Sequence, residues 1–445
     1  MSRISRVLAR WRQDRLLGKV VRNSSYLFTS NSLSMVLTFV QGLLAAALLG
    51  VADYGTLGLI ITFASNVNRL LSFRMNELVI KFGGQYIAEG KKKQAAVIIK
   101  VAGISEGITT VFAYTLLVLL AQLAATYIIR DDRVVPWILF YGLALLANLM
   151  TETAQAVLQL GGHFRTQAWL TLLQNMITAG WILIAFIMRG GIYEVMLAYL
   201  TGKLFFGLSV LIAAIYWMKK LIGPEWLRTP FSILPDWKGM LKFAMSTNLS
   251  QTVNMIIRDS ELLWVGLLLN NVQAGYYKFA LAIMNVIILP ITPFIQTTFP
   301  EITRAVSIHS WGALSGLLRR TSLIAIAWTL LTGAGILTVG PIFLRYFKGG
   351  EYFPAYPVIL ILFAGFSFAN IFYWNRPLQL ALGRPNFPLM VTLTIGMIKT
   401  GLMFLLVQQF GVIMQAILLS GYFIFSITII VLNGLGEVRK NLPVR

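Results

Sequence analysis

The stretch LLGVADYG (Leu48–Gly55) returns 220 residues further on as LLNNVQAG (Leu268–Gly275), with both leucines and the final glycine in register. LQL stands at Leu158–Leu160 and again at Leu378–Leu380, at the same spacing. With one residue inserted, TLLQNMITAG (Thr171–Gly180) meets TLTIGMIKTG (Thr392–Gly401), sharing Thr, Leu, Met, Ile and Gly. A nearly constant offset across three matches predicts a duplicated chain.

Composition identifies the kind of chain that is duplicated. Of 445 residues, 57% are hydrophobic and 12% charged, and the mean hydropathy is +0.75. A soluble domain carries about 25% charge. Twelve apolar runs reach the roughly 20 residues that a bilayer-crossing helix needs. They begin with Tyr26–Gly50, end with Val412–Asn433, and include Val134–Leu160, Leu241–Asn270 and Phe353–Leu382. Such long unbroken runs exclude a barrel, whose strands alternate over about ten residues.

Six runs per copy bring the chain back to the same side, so the copies are parallel, related by an axis along the membrane normal. The fold expected is an all-α integral membrane protein. Its twelve transmembrane helices form two parallel-repeat six-helix lobes around a central cavity. The divisions are a basic segment (1–22), an N-lobe (23–218), a linker (219–240), a C-lobe (241–434) and a tail (435–445).

The net charge of +21 has a topological origin. Only Arg130, Arg133, Arg189, Arg345 and Lys348 of the 37 Lys and Arg residues fall in outer loops when both termini are placed in the cytoplasm. The positive-inside rule therefore sets that orientation and removes the need for a nucleic-acid partner. In MSRISRVLARWRQDRLLGKVVR, Ile4, Val7, Leu8 and Trp11 share one helical face, as in a helix lying on anionic lipid. The apolar run from Tyr26 is too long for the core of a cleaved signal peptide. With no cysteine, and with His163 and His309 both in loops, neither thiolate chemistry nor a metal site is expected. Pro290 and Pro293 should kink the eighth helix.

Charges inside the helices carry the functional reading. In MIIRDSELLWVGLLL (Met255–Leu269), Arg258, Asp259 and Glu261 interrupt an apolar run, where each unpaired charge costs about 2.5–3.5 kcal/mol. Thr247, Gln251, Asn254, Arg258 and Glu261 recur at helical spacing, and the first helix answers with Asn31, Ser34, Thr38 and Gln41. These polar stripes should face the interior, although Arg258 and Glu261 are also spaced to pair along their own helix. The remaining helical cations are Arg69, Lys100, Lys203, Lys278, Arg376 and Lys399, set against Glu106 and Glu152. Of these, Lys203 and Lys399 sit mid-span, too deep to reach headgroups. Surplus positive charge in a cavity favours a phosphate or pyrophosphate, for which Arg supplies a bidentate fork.

The passage ELLWVGLLLNNVQAGYY (Glu261–Tyr277) resembles the pattern of the polysaccharide and O-antigen flippases, in the superfamily of multidrug, oligosaccharidyl-lipid and polysaccharide exporters. Glu261, Gly266 and Gly275 take the acidic and glycine positions, with Glu where the family commonly has Asp. ADYGTLGL (Ala52–Leu59) is similar to the matching first-repeat element, and LQLALGRPNF (Leu378–Phe387) to the loop after the tenth helix. LSFRMNELVIKFGGQYIAEGKKK (Leu71–Lys93) places Arg74 and Glu77 at the family's Arg and acidic positions. The resemblance implies a multi-pass protein of the bacterial inner membrane that flips a polyprenyl-pyrophosphate-linked glycan. Arg258, Lys203, Lys399 and Arg74 would bind substrate, and Glu261, Asp259, Glu77 and Glu152 would pair with cations or carry a coupling ion, proton or sodium. It implies no other cofactor, a monomer among membrane lipids, and a polysaccharide polymerase among its partners.

Three alternatives stand beside it. A multidrug and toxin extrusion antiporter should leave carboxylates unpaired in its cavity, whereas here cations outnumber acids. A lipid II flippase usually carries two further helices. A membrane-embedded glycan polymerase or acyltransferase finds no intramembrane histidine and no nucleotide-binding element.

Overall fold

In a computed structural model, residues 15–288 and 292–441 are described. Residues 1–14 of the basic segment, Pro290, and residues 442–445 of the tail lie outside them. The described residues contain no strand. Within hydrocarbon, backbone polar groups must be satisfied inside the segment, and helices do this.

The helices are α1 (Arg15–Leu49), α2 (Val51–Leu71), α3 (Met75–Leu78), α4 (Gly84–Ala88), α5 (Lys92–Leu123), α6 (Val135–Leu146), α7 (Thr151–Leu160), α8 (Phe164–Ile187) and α9 (Ile192–Leu221). Beyond the linker come α10 (Trp237–Asn254), α11 (Glu261–Leu268), α12 (Asn271–Ile288), α13 (Thr292–Ser307), α14 (Trp311–Tyr346), α15 (Tyr356–Ile371), α16 (Asn375–Ala381) and α17 (Asn386–Lys440). α17, 55 residues long, holds two spans, because Gly411 at φ 71°, ψ −160° turns the chain back on itself. That backbone conformation is essentially restricted to glycine.

Several spans expected to be continuous are interrupted. Val134–Leu160 breaks between α6 and α7, and Phe353–Leu382 breaks between α15 and α16. Leu241–Asn270 passes through a π turn at Met255–Asp259. Hydropathy averaged over a whole span does not register these breaks, because the span stays apolar overall while the backbone leaves the helical path.

The repeat is visible in backbone hydrogen bonds. At the end of α7 the amide of His163 donates to the Leu158 carbonyl (2.7 Å) and Gly162 to Gln159 (3.0 Å). At the end of α16 Arg384 donates to Gln379 (2.9 Å) and Gly383 to Leu380 (3.1 Å). The same C-terminal cap closes both helices at an offset of 221 residues, one position later on the second LQL than on the first.

By contacts the chain forms two compact units, residues 1–41, 64–122 and 135–252, and residues 42–63, 123–134 and 253–445. They depart from chain order. The hairpin joining α1 to α2 and the segment after α5 belong to the second unit.

In the first unit, Leu78, Val79, Ile98, Val157, Leu158 and Val210 make a core where α3, α5, α7 and α9 meet. In the second, Ile302, Leu314, Trp374, Leu378 and Val431 do the same for α13, α14, α16 and α17. Large apolar side chains such as Leu119, Ile187, Leu330 and Phe425 stay exposed, as expected where lipid is the solvent. Lipid is as apolar as leucine, so helices there associate by close packing and hydrogen bonds.

The duplicated glycines are sites of close backbone packing. A Cβ at Gly55 would lie 2.0 Å from the Asn271 carbonyl oxygen, and one at Gly275 would lie 2.1 Å from that of Val51. Val51 and Asn271 stand 220 residues apart, as do Gly55 and Gly275. The two hairpins therefore cross reciprocally, each repeat's glycine lying on the other repeat's backbone.

Candidate functional site

The π turn governs the opening charges of the second unit. Ser260 donates its amide to the Met255 carbonyl (2.9 Å), five residues back. This inserts one residue into the turn and rotates the next helical residues by about 100°. Arg258 and Glu261 therefore leave the common face that their spacing predicts. Nor do they pair. Arg258 Nε donates to Asp259 Oδ1 at 3.0 Å, and the Arg258 side chain stays 55% exposed.

Glu261 turns the other way, into the protein. At 2% exposure it binds Lys399 of α17 through Oε1, while Oε2 accepts from Gln415 (2.6 Å) and from the Tyr277 hydroxyl (3.1 Å). Lys399 Nζ also donates to the Ile257 carbonyl at 2.6 Å, and Trp264 Nε1 donates to that of Ile256 at 3.2 Å. The π turn has released these carbonyls from helical pairing. Gly396 lets α17 approach them, since a Cβ there would lie 2.5 Å from Ile257. Lys399, expected as a cavity cation, is instead neutralised within the unit. Removing one member of such a buried pair costs about 3–5 kcal/mol. Gln415 carries no signal in the sequence, being a single polar group in an apolar run, and nothing in the sequence joins the Tyr277 hydroxyl to Glu261.

Toward the α12 end of the same hairpins, Lys278 Nζ donates to the Tyr54 carbonyl (3.0 Å) and stands 3.8 Å from the Tyr54 ring centroid. Glu351 accepts from the Val51 amide at 2.7 Å, and the Tyr352 hydroxyl donates to Ala46 at 2.9 Å. Arg130 donates to the Leu267 carbonyl (2.9 Å) beside an open pocket of about 460 Å³ lined by Thr126, Tyr127 and Asp132. In the adjoining loop, hydrogen bonding to Arg133 holds the Asp131 carboxyl below the usual carboxylate range.

In the first unit the stripe on α1 serves helix contact. Thr38 Oγ1 donates to Asn175 Oδ1 (3.2 Å), and Gln41 donates to the Asn175 carbonyl (2.8 Å). Ser34 is buried, and the side chain of Asn31 lies outside the described residues. On α10, Thr247 bonds back to Phe243 and Ala244 of its own helix, while Gln251 and Asn254 are half-buried. Arg74 (φ 54°) stands between α2 and α3 and pairs with Glu77 at 2.7 Å, with both side chains partly exposed. Asn248, not foreseen, ties down the end of α2 by donating to the carbonyls of Leu70 (3.1 Å) and Ser72 (2.6 Å).

Lys203 on α9 is half-buried and has no hydrogen-bond or ion-pair partner among the described residues. Lys100, by contrast, anchors the linker. It donates to the Leu227 and Thr229 carbonyls and lies over the Phe231 ring.

Glu106, on α5, accepts from the Glu152 amide (2.7 Å), the Thr153 amide (2.9 Å) and the Thr153 hydroxyl (2.7 Å). It thereby satisfies the amides freed where α7 starts. Glu152 Oε1 accepts from Ser72 at 2.8 Å.

Against known proteins, the family model described as "Polysaccharide biosynthesis protein" matches residues 20–306. The inner membrane protein YghQ of Escherichia coli (strain K12) is 20% identical over 360 residues, covering 78% of this chain and 98% of that protein. Among solved structures, the lipid II flippase MurJ in an inward closed conformation has a TM-score of 0.72 at 13% identity, covering 93% of this chain and 89% of that one. An inward-facing multidrug resistance MATE family transporter of the MOP superfamily has a TM-score of 0.71 at 14% identity, covering 92% and 95%.

Proposed function

The chain belongs to the polysaccharide biosynthesis protein family, and from that premise we propose that it is a flippase that moves a polyprenyl-pyrophosphate-linked oligosaccharide from the inner to the outer leaflet of the bacterial inner membrane by alternating access. The pyrophosphate and sugars would travel through the polar interior while the prenyl chain stays in lipid.

The observation that carries this reading is the exposure of Arg258. A guanidinium 55% exposed in mid-helix is costly against hydrocarbon and is stable facing water. Its bond to Asp259 is an exposed pair, worth at most about 1 kcal/mol, so a pyrophosphate offering two acceptors can displace it. In the first unit Lys203, half-buried and with no hydrogen-bond or ion-pair partner among the described residues, is a further cation not already neutralised. Lys399 is neutralised, because Glu261 holds it. A cargo of organic cations would find Arg258 and Lys203 repulsive, which disfavours multidrug extrusion.

The test is reconstitution into liposomes with a fluorescent polyprenyl-pyrophosphate oligosaccharide on one leaflet. Transfer to the other leaflet is expected, and Arg258→Ala should slow it at least tenfold. No transfer of any pyrophosphate-linked glycan would refute the assignment.

A further inference from the structure

Helices α7 and α8 of the first unit carry a ladder of uncharged polar side chains. Gln159 Nε2 donates to Gln167 Oε1 (3.3 Å), and Gln167 Nε2 donates to Gln155 Oε1 (3.1 Å). One turn further along α8 the Thr171 hydroxyl donates to the Gln167 carbonyl (3.0 Å), and after another turn the Asn175 side chain donates to the Thr171 carbonyl (2.8 Å). Asn175 Oδ1 in turn accepts from the Thr38 hydroxyl of α1 (3.2 Å). We propose that this ladder is the track along which the sugar hydroxyls of the cargo are handed through the first unit, an assignment that rests on the flippase reading.

The two exposed sides of α8 differ in kind. Trp169, Leu173 and Met176 are 53%, 39% and 53% exposed, whereas Gln167, Thr171 and Asn175 are half-buried. At about 100° per residue the two sets lie on opposite sides of the helix. The apolar side suits lipid. Half-buried amides within a spanning helix are stable only toward protein or water, and their partial exposure means that this side reaches water.

Helix packing does not call for these amides. At the 221-residue offset that pairs Thr171 with Thr392, the second repeat builds the corresponding helix with Pro388 opposite Gln167 and Gly396 opposite Asn175. The two LQL glutamines diverge likewise. Gln379 is fully buried and donates to the Ile430 carbonyl (2.9 Å) and Asn433 Oδ1 (3.0 Å). Gln159 is half-buried, and neither its side-chain oxygen nor the Gln155 nitrogen has a hydrogen-bond partner among the described residues.

Those free groups select a saccharide. A side-chain amide presents a donor and an acceptor side by side, which is what neighbouring sugar hydroxyls require. Each neutral hydrogen bond replaces one to water at small net gain, so a glycan can pass from rung to rung without being trapped. From Gln167 to Asn175, eight residues, the ladder runs about 12 Å into the span, longer than a single sugar ring.

Purified full-length protein in proteoliposomes, given two fluorescent carriers, tests the track. One is a polyprenyl pyrophosphate bearing a single sugar, the other the same lipid bearing a longer oligosaccharide. Gln167→Leu and Gln159→Leu should each slow the oligosaccharide form, relative to the single-sugar form, by about threefold or more, as loss of one neutral hydrogen bond implies. Both variants should melt within a degree or two of the wild type. Equal slowing of the two carriers would assign the amides to folding, and unchanged rates would leave them without contact to the cargo; either result overturns the track while the flippase reading stands. No transfer of either carrier by the wild type overturns the flippase reading and the track with it.

Discussion

Glu261 and Lys399 neutralise each other at 2–3% side-chain exposure, which sets a sharp expectation for stability. Glu261→Gln or Lys399→Met alone should each destabilise the protein by about 3–5 kcal/mol, while the double substitution should lose clearly less than the sum. A thermal-unfolding double-mutant cycle in detergent measures the difference. Additive losses would mean that the contact contributes nothing. Arg74 and Glu77 make the opposite case. Their exposed pair should be worth no more than about 1 kcal/mol, so Arg74→Ala should leave the melting temperature within a degree or two. Any large loss of transport in that variant would then report on cargo handling and not on folding.

At the scale of elements, the crossing of the two duplicated hairpins should tolerate no added volume. Gly55→Ala or Gly275→Ala forces a methyl group onto a neighbouring carbonyl, and overpacking of this kind costs about 1–3 kcal/mol. The unfolding midpoint of each variant measures it, and the two should behave alike because their contacts are reciprocal. These glycines were legible in the sequence as matched positions of the repeat, as was the helical class. The π turn was not. Its residues MIIRD differ in no propensity from an α-helical run, yet one inserted residue decides that Glu261 enters the core while Arg258 stays half-exposed. Helical spacing alone therefore grouped two side chains that the backbone separates. Gln415 and Asn248 were not legible for another reason, since their partners come from distant segments.

For the whole molecule, duplication supplies two six-helix halves from one ancestral pattern, and the charges then differ between them. In the second unit a buried ion pair closes around the π turn and leaves Arg258 half-exposed. In the first, Lys203 has no hydrogen-bond or ion-pair partner among the described residues, and Glu106 accepts from the start of α7, where Glu152 stands. If the proposed cargo is right, the two cations matter only for a phosphorylated carrier. The decisive measurement is therefore transfer in proteoliposomes of one oligosaccharide on two lipids, a polyprenyl pyrophosphate and an uncharged polyprenyl ether. Wild-type protein should move the pyrophosphate form at least tenfold faster, and Arg258→Ala with Lys203→Ala should abolish that preference. Equal rates for the two lipids in the wild type, or an unchanged preference in the double variant, would contradict recognition of the cargo through its pyrophosphate.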